Sequence, residues 1–438
     1  MHTTSKLFLF FLKLNKKEEI NGHDLAQALN YLAKNEVQEG GPYYDEQKDI
    51  DLGLNALIAN FLKKQNVSLP SLDKLIKKAL KTNKIKSKYF SNTADLKNLC
   101  SGLYLKEKKL LKETEDKFLD NIKKEANKRF KTLNPEFKKL AQDAIDRTIK
   151  NNRDGQMSLM PYYFKKALGK KGDKLDDSLI AKLGLANTFF WTAFIIYDDF
   201  WDEDEKAAPK LLPVANFLAR SYISYFNKVL LSNNPFTDFF TDLMDKLDSA
   251  NTWETMHCRT KVENNLFYIP KRLPNYQDYT KKFEPASGHI LGCVALMIKL
   301  GYKINNKEIN NLVSYFKNYL IAMQINDDAH DLQEDLNRGH LSTVAVMFLH
   351  DWQKKYPKQK TIDLKNDLEK IQQLFWFTTI KKSCRLTIAY TTKARKALAA
   401  MDFLENPEYL EKFINISEKV AKDAQIEYKK SLDLLQAL

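Results

Sequence analysis

The stretch Gln324-Ile325-Asn326-Asp327-Asp328-Ala329-His330-Asp331-Leu332-Gln333-Glu334-Asp335 decides how the rest of this 438-residue chain is read. It continues an apolar, helix-patterned segment (Leu320, Ile321, Met323) and then loads it with acids. At the helical period Asp327, Asp328, Asp331, Glu334 and Asp335 share an arc of about 120°, with Gln324 one turn earlier on the same side. Ile321, Ile325, Leu332 and Leu336 fall on the adjoining arc. Like charges stacked at i,i+4 oppose a helix unless a cation sits among them. The run therefore predicts a partly buried helix whose acidic face meets cations.

The same spacing occurs 129 residues earlier (327 − 198). Asp198-Asp199-Phe200-Trp201-Asp202-Glu203-Asp204-Glu205 repeats Asp-Asp-x-x-Asp-x-x-Glu and also follows an apolar helical run, Phe189 to Tyr197. Oxygen-only clusters with incomplete cages suit Mg²⁺, which keeps several waters and shares its shell with substrate phosphates. One such motif in a charged protein has a plain alternative, a solvated helix face. Two copies, each with a fourth acid at the same offset, point instead to two helices holding metal ions that grip a diphosphate.

These paired motifs resemble the two aspartate-rich motifs of the class I isoprenoid synthase superfamily, which holds trans-prenyl diphosphate synthases and class I terpene synthases. Asp198-Asp199-x-x-Asp202 resembles the first motif and Gln324-x-x-Asp327-Asp328-x-x-Asp331 the second, over roughly residues 100 to 438. The resemblance implies an all-α bundle around a deep apolar cavity. It implies Mg²⁺, three ions in all, held by Asp198, Asp199, Asp202, Asp327, Asp328 and Asp331. Asp198, Asp199, Asp327 and Asp328 would be central to catalysis, and a prenyl diphosphate would be the substrate. Trp191, Phe194 and Ile195 lie on the carboxylate side of their helix, one to two turns deeper. With Gln324 they are the candidate prenyl pocket, and ordinary core packing is the plain alternative for each.

Arg259 and Lys261, between the motifs, and Arg338, just after the second, are candidate diphosphate contacts, since a guanidinium binds phosphate oxygens bidentately. Surface salt bridges are the alternative, and Gly339 reads as a helix C-cap. Departures from the family are equally informative. Chain-elongating synthases carry Gly-Gly-Lys-x-x-Arg-Pro before the first motif, Arg-Arg after it and Lys-Thr on a middle helix. Here the corresponding stretches read Met157 to Lys166 without arginine, Glu203 to Lys210 without Arg-Arg, and Pro285-Ala286-Ser287-Gly288-His289 without lysine. Lys165, Lys166, Lys206 and Lys210 are partial substitutes. The reading is accordingly a Mg²⁺-dependent terpene or isoprenoid synthase that ionises an all-trans allylic prenyl diphosphate. A polyprenyl diphosphate synthase is the alternative, and a non-catalytic partner subunit the third reading.

Composition fits this class. Hydrophobic residues make up 44%, aromatics 12%, and only 13 Gly and 12 Pro are present, which favours helices over sheet and turns. The net charge of +14 suits an anionic substrate or peripheral contact with an anionic membrane, although it also fits lysines spread over solvated helix faces. No basic–aromatic module for nucleic acid is seen. Four scattered cysteines read as free thiols of a reducing, cytoplasmic compartment. The run Leu7 to Leu12 is too short for a signal peptide, so it predicts an amphipathic helix, and no stretch reads as a membrane span. Residues 1–95 read as a separate helical domain with a Gly40-Gly41-Pro42 break. It is reminiscent of one unit of an α/α-barrel and lacks an Asp-x-Asp-Asp motif; docking or scaffolding is its expected role. The catalytic domain is placed at 96–438. The resemblance also implies a homodimer, which no single residue shows.

Overall fold

The structure, a computed structural model, describes residues 6–16, 22–35, 42–45, 48–64, 69–82, 84–90, 92–151, 155–201, 207–230, 234–276 and 279–437. Two compact units divide at Lys117/Phe118. The division lies beyond the expected 95/96, inside the 37-residue helix Thr93–Arg129.

The first unit holds α1 (Lys6–Lys16), α2 (Gly22–Asn35), α3 (Leu52–Lys64), α4 (Pro70–Thr82) and the start of α5 (Thr93–Arg129). The apolar run near the N-terminus is indeed helical, and Phe8, Phe11 and Leu14 of α1 pack with Leu54, Ile58 and Phe61 of α3. Asp51 caps α3 by accepting from the Leu54 N–H at 3.0 Å, the usual use of an aspartate at that position. Asn55 holds Tyr43 by both backbone groups, at 2.8 and 2.9 Å, and thereby fixes the turn after Pro42.

The second unit is a helical bundle, so the all-α expectation holds. In order it has α6 (Pro135–Asn151), α7 (Met160–Ala167), α8 (Lys170–Asp173), α9 (Asp177–Trp201), α10 (Leu212–Leu230), α11 (Asn234–His257), α12 (Thr280–Phe283), α13 (Leu291–Lys299), α14 (Lys307–His330), α15 (Leu332–Arg338), α16 (Thr343–Lys355), α17 (Leu368–Leu374), α18 (Ile380–Ala399) and α19 (Glu408–Ala437). α9 packs along α10 and α14 along α18. Contrary to the sequence reading, α9 is long and apolar enough to cross a membrane. Its most apolar window is 72% buried inside the bundle, which makes it a core helix.

Three local departures shape the site. α11 stops at His257 instead of running to 265: residues 258–260 pair with the backbone of 339–341, and Asn264 and Asn265 then adopt φ of 53° and 63°. That is the left-handed pair a two-residue hairpin requires and asparagine tolerates. The hairpin strands β1 (Val262–Glu263) and β2 (Leu266–Tyr268) are antiparallel and continue to β3 (Thr361–Asp363), with Phe267 opposite Val262 and Ile362. The helix carrying the second acidic motif breaks at Asp331, so α15 is a separate helix of about two turns. α15 then ends at Gly339, whose φ is 71° and where a Cβ would lie 2.1 Å from the Thr260 carbonyl oxygen. Only glycine fits there.

Candidate active site

α9 and α14 deliver their acids to one cavity of about 330 Å³. Asp198 comes from the last turn of α9, Asp327 and Asp328 from the last turn of α14, and Asp331, Glu334 and Asp335 from the break and α15. The cavity also takes Arg259, Lys281, Lys282, Arg338 and His340 into its wall. Trp191, Phe194, Ile195 and Gln324, the four candidate pocket residues, all line it, and Trp201 joins them. Phe194 stacks on Phe190 with ring centres 4.4 Å apart, and Trp201 lies edge-on to Phe194 at 6.4 Å. Aromatic faces of this kind stabilise a passing cation and keep out water.

The acids do not share one environment. Asp328 is 7% exposed and accepts from Lys282 Nζ at 3.1 Å and from the Thr343 N–H at 2.9 Å. Lys282 is equally buried; burial pulls its pKa down, but Asp328 and Glu254 outweigh that and keep it charged. Asp335 faces His340 Nδ1 at 3.1 Å and accepts from Ser342, while His340 Nε2 reaches Glu254 at 2.8 Å. Burial works against the His340 cation, yet the two carboxylates raise its pKa to about 9. Burial pushes Glu254 upward, and Lys282 with His340 reverses this to about 2. Asp327 is different. It is open to the cavity yet crowded by its walls, and that enclosure, then Asp328 and Asp331, pushes it up to about 6.

Two short backbone segments hold the basic wall in place. Thr260 N–H donates to the Gly339 carbonyl at 2.8 Å and Leu341 N–H to the Cys258 carbonyl at 2.9 Å, so Arg259 and His340 lie side by side across an antiparallel bridge. Arg338 pairs with Glu334 at 2.6 Å on the same rim.

Some predicted residues stand elsewhere. Lys261 is not in the cavity wall; it is exposed and pairs with Glu263 at 2.6 Å, since the hairpin turns it away from Arg259. Asp199 faces Arg147 at 3.4 Å instead of lining the cavity. Asp202 lies outside the described residues. The reading also missed Lys281 and Lys282. It sought a middle-helix lysine at 285–289, where His289 stands, whereas the one-turn α12 places both lysines in the cavity wall. The available signal was a Lys-Lys pair followed at once by Phe283, in a segment that also carries the aromatics Tyr276 and Tyr279.

Among the described residues, no group of three or more His, Cys, Asp or Glu side chains converges closely enough to hold a metal ion alone. The donor chemistry still fits a hard divalent cation: Asp198, Asp327 and Asp331 present carboxylates to one cavity, and enclosure, then repulsion from Asp328 and Asp331, raises Asp327. Such a set suits Mg²⁺ bound through one or two carboxylates and completed by substrate oxygens, better than an all-protein cage.

No family model matches the chain, and no curated protein matches it in sequence. Among solved structures, the geranylgeranyl pyrophosphate synthetase of the archaeon Geoglobus acetivorans aligns with a TM-score of 0.51 and 15% identity, over 69% of this chain and 98% of that one. The heptaprenyl diphosphate synthase of Staphylococcus aureus aligns with a TM-score of 0.53 and 14% identity, over 70% and 98%. Likeness at this identity shows the fold alone, an all-α bundle shared with these two synthases.

Proposed function

We propose that this chain, built on the class I isoprenoid synthase fold, is a Mg²⁺-dependent prenyltransferase that joins an all-trans allylic diphosphate to isopentenyl diphosphate. The observation that carries the reading is the shared cavity, with acids from α9 and α14 and a cationic wall facing one another over an aromatic floor. Asp198, Asp327 and Asp331 would hold Mg²⁺, whose charge offsets the negative charge that develops on the departing diphosphate. Arg259, Lys281 and Arg338 supply donors for phosphate oxygens. Lys282, tied to Asp328, fixes that carboxylate and lends the wall positive charge.

In the reaction the allylic C–O bond breaks and its electron pair leaves with the diphosphate. The double bond of isopentenyl diphosphate then attacks the allylic carbon. The proton released at the new junction passes to the departed diphosphate, so the protein needs no strong base of its own. Trp191, Phe194 and Trp201 shelter the cation.

Chain elongation takes first place over the single-substrate reading for two reasons. The lysines that the sequence reading lacked stand in the cavity, and both solved relatives are named as prenyl diphosphate synthases. Single-substrate terpene synthesis is favoured by one feature, the absence of arginine in Met157 to Lys166.

Products decide between them. Purified protein with Mg²⁺ and C10, C15 or C20 allylic diphosphates is analysed by mass spectrometry with and without isopentenyl diphosphate, beside an Asp198→Ala/Asp327→Ala control. A longer diphosphate that appears only with isopentenyl diphosphate supports elongation. Hydrocarbon or alcohol from one substrate alone, with no elongation, overturns it. No product in any combination moves the non-catalytic partner to the front.

A further inference from the structure

The small sheet carries its charge unevenly. Val262, Phe267 and Ile362 form one row across the three strands and pack into a single apolar cluster. Side chains alternate along a strand, so the rows on either side of this one face outward. The row at the hairpin turn holds two acids, Glu263 and Asp363, on either side of Leu266. The row at the open end holds Lys261, Tyr268 and Thr361. Tyr268 is 37% exposed, and Lys261 Nζ stands 5.5 Å from its ring centre.

Beyond the open end two segments stay side by side, since the Ile269 N–H donates to the Lys360 carbonyl at 3.0 Å. One segment adds Lys271 and Arg272, the other Lys354, Lys355, Lys358 and Lys360. All six are exposed. No acid occurs from Tyr268 to Arg272 or from Lys354 to Lys360, and among the described residues none of the six makes an ion pair. Nearby lysines behave differently: Lys261 meets Glu263 and Lys370 meets Asp367, both at 2.6 Å. Like charges gathered without counter-charge repel one another and favour a partner that supplies it.

What lies among the cations narrows the partner. Ile269, Pro270 and Leu273 are half-buried beside the exposed tyrosine. Lysine stems lie along apolar surface while their heads reach outward, and a tyrosine ring spans an apolar and a wet layer. A bilayer surface has that layering, with phosphates outside and acyl chains beneath. A nucleic acid offers the phosphates without the apolar layer.

We propose that this face of the second unit docks on an anionic phospholipid bilayer. The six cations meet lipid phosphates and Tyr268 sits at headgroup level. Thr260 donates its hydroxyl to the Tyr268 carbonyl at 2.6 Å, and Arg259, the residue before it, is in the cavity wall. Docking thus sets the membrane beside the segment that brings Arg259 to the cavity. The inference goes beyond the proposed reaction and is read without turnover.

The test sediments the full-length protein with vesicles of phosphatidylcholine alone, or with about 30% phosphatidylglycerol, where each surface-held Lys or Arg strengthens binding several-fold. Binding to the anionic vesicles alone is expected. Lys271→Glu/Arg272→Glu/Lys358→Glu/Lys360→Glu should weaken it at least about a hundredfold, and the same four changed to Gln at least about tenfold. The Gln variant gives the answer if charge reversal harms the fold. A control with the same change in net charge, Lys124→Glu/Lys131→Glu/Lys138→Glu/Lys139→Glu, alters exposed lysines of α5 to α6 and should lose less than about threefold. No binding to either vesicle overturns the proposal, and so does an equal loss in the control, which marks net charge instead of this face. A duplex oligonucleotide bound as tightly as the anionic vesicles, and lost in the Gln variant, overturns the bilayer as the occupant.

Discussion

Replacing Lys282 with methionine removes the cation from a buried pair and leaves the Asp328 carboxylate in place, 7% exposed. Breaking such a pair typically costs about 3–5 kcal/mol because the remaining charge is uncompensated. A second estimate bounds the loss. Asp328 can escape by taking up a proton, and holding it protonated at pH 7 against an unfolded pKa of about 3.9 costs about 4 kcal/mol, at about 1.4 kcal/mol per pH unit. The Thr343 N–H, 2.9 Å from the carboxylate, trims this slightly. The expected loss at pH 7 is therefore about 3–4 kcal/mol. Its sign with pH follows. An acid whose folded pKa is raised destabilises above its unfolded pKa, so the gap between wild type and Lys282→Met should shrink by about 1.4 kcal/mol per unit as the pH falls from 7 towards 4. Urea unfolding followed by tryptophan fluorescence at pH 5, 6 and 7 measures it. All five tryptophans lie in the second unit, so the signal reports that unit alone. The double variant Lys282→Met/Asp328→Asn should recover most of the loss. A loss below about 1 kcal/mol, or a gap that does not change with pH, would refute the reasoning.

Three further outcomes are expected. Asp327→Asn should cut diphosphate release by at least about two orders of magnitude without lowering Tm, because it removes a carboxylate whose charge is disfavoured first by enclosure and then by Asp328 and Asp331; steady-state assays with calorimetry check both halves. His340, raised from 6.5 to about 9, should contribute up to about 3 kcal/mol that is fully present below pH 6.5 and lost as pH rises through 9. A His340→Gln variant compared with wild type at pH 6 and pH 10 should show the difference collapse at the higher value. Gly339→Ala forces a side chain into φ 71° and against the Thr260 carbonyl, so more than about 1 kcal/mol of stability and part of the diphosphate affinity should go together.

The bundle and the place of its acids were legible because they rest on period and charge, which a sequence carries directly. The apolar run before Asp198 becomes α9, that before Asp327 becomes α14, and Trp191, Phe194 and Ile195 do reach the cavity from the face assigned to them. What failed to show depends on backbone breaks. The five-acid arc assumes one unbroken helix, but the break at Asp331 sends Asp335 to His340 and Ser342. Arg259 and Lys261 looked equivalent two residues apart, until a hairpin set by Asn264 and Asn265 put one in the wall and the other at the surface. Lys282 was invisible as a site residue because α12 is only four residues long and its partner Asp328 is 46 positions away.

The bridge between Arg259 and His340 has a mechanical consequence. Cys258 to Thr260 and Gly339 to Leu341 are tied by backbone hydrogen bonds, and the first of these segments leads straight into the β1–β2 hairpin, which is itself tied to β3. The arginine of one segment and the imidazolium of the other cannot adjust independently when an anion enters. Any narrowing of the mouth has to carry both segments and the small sheet as one plate, hinged where α11 ends at His257 and where α15 ends at Gly339. Grip on an anion held there and the attitude of that plate are then a single degree of freedom.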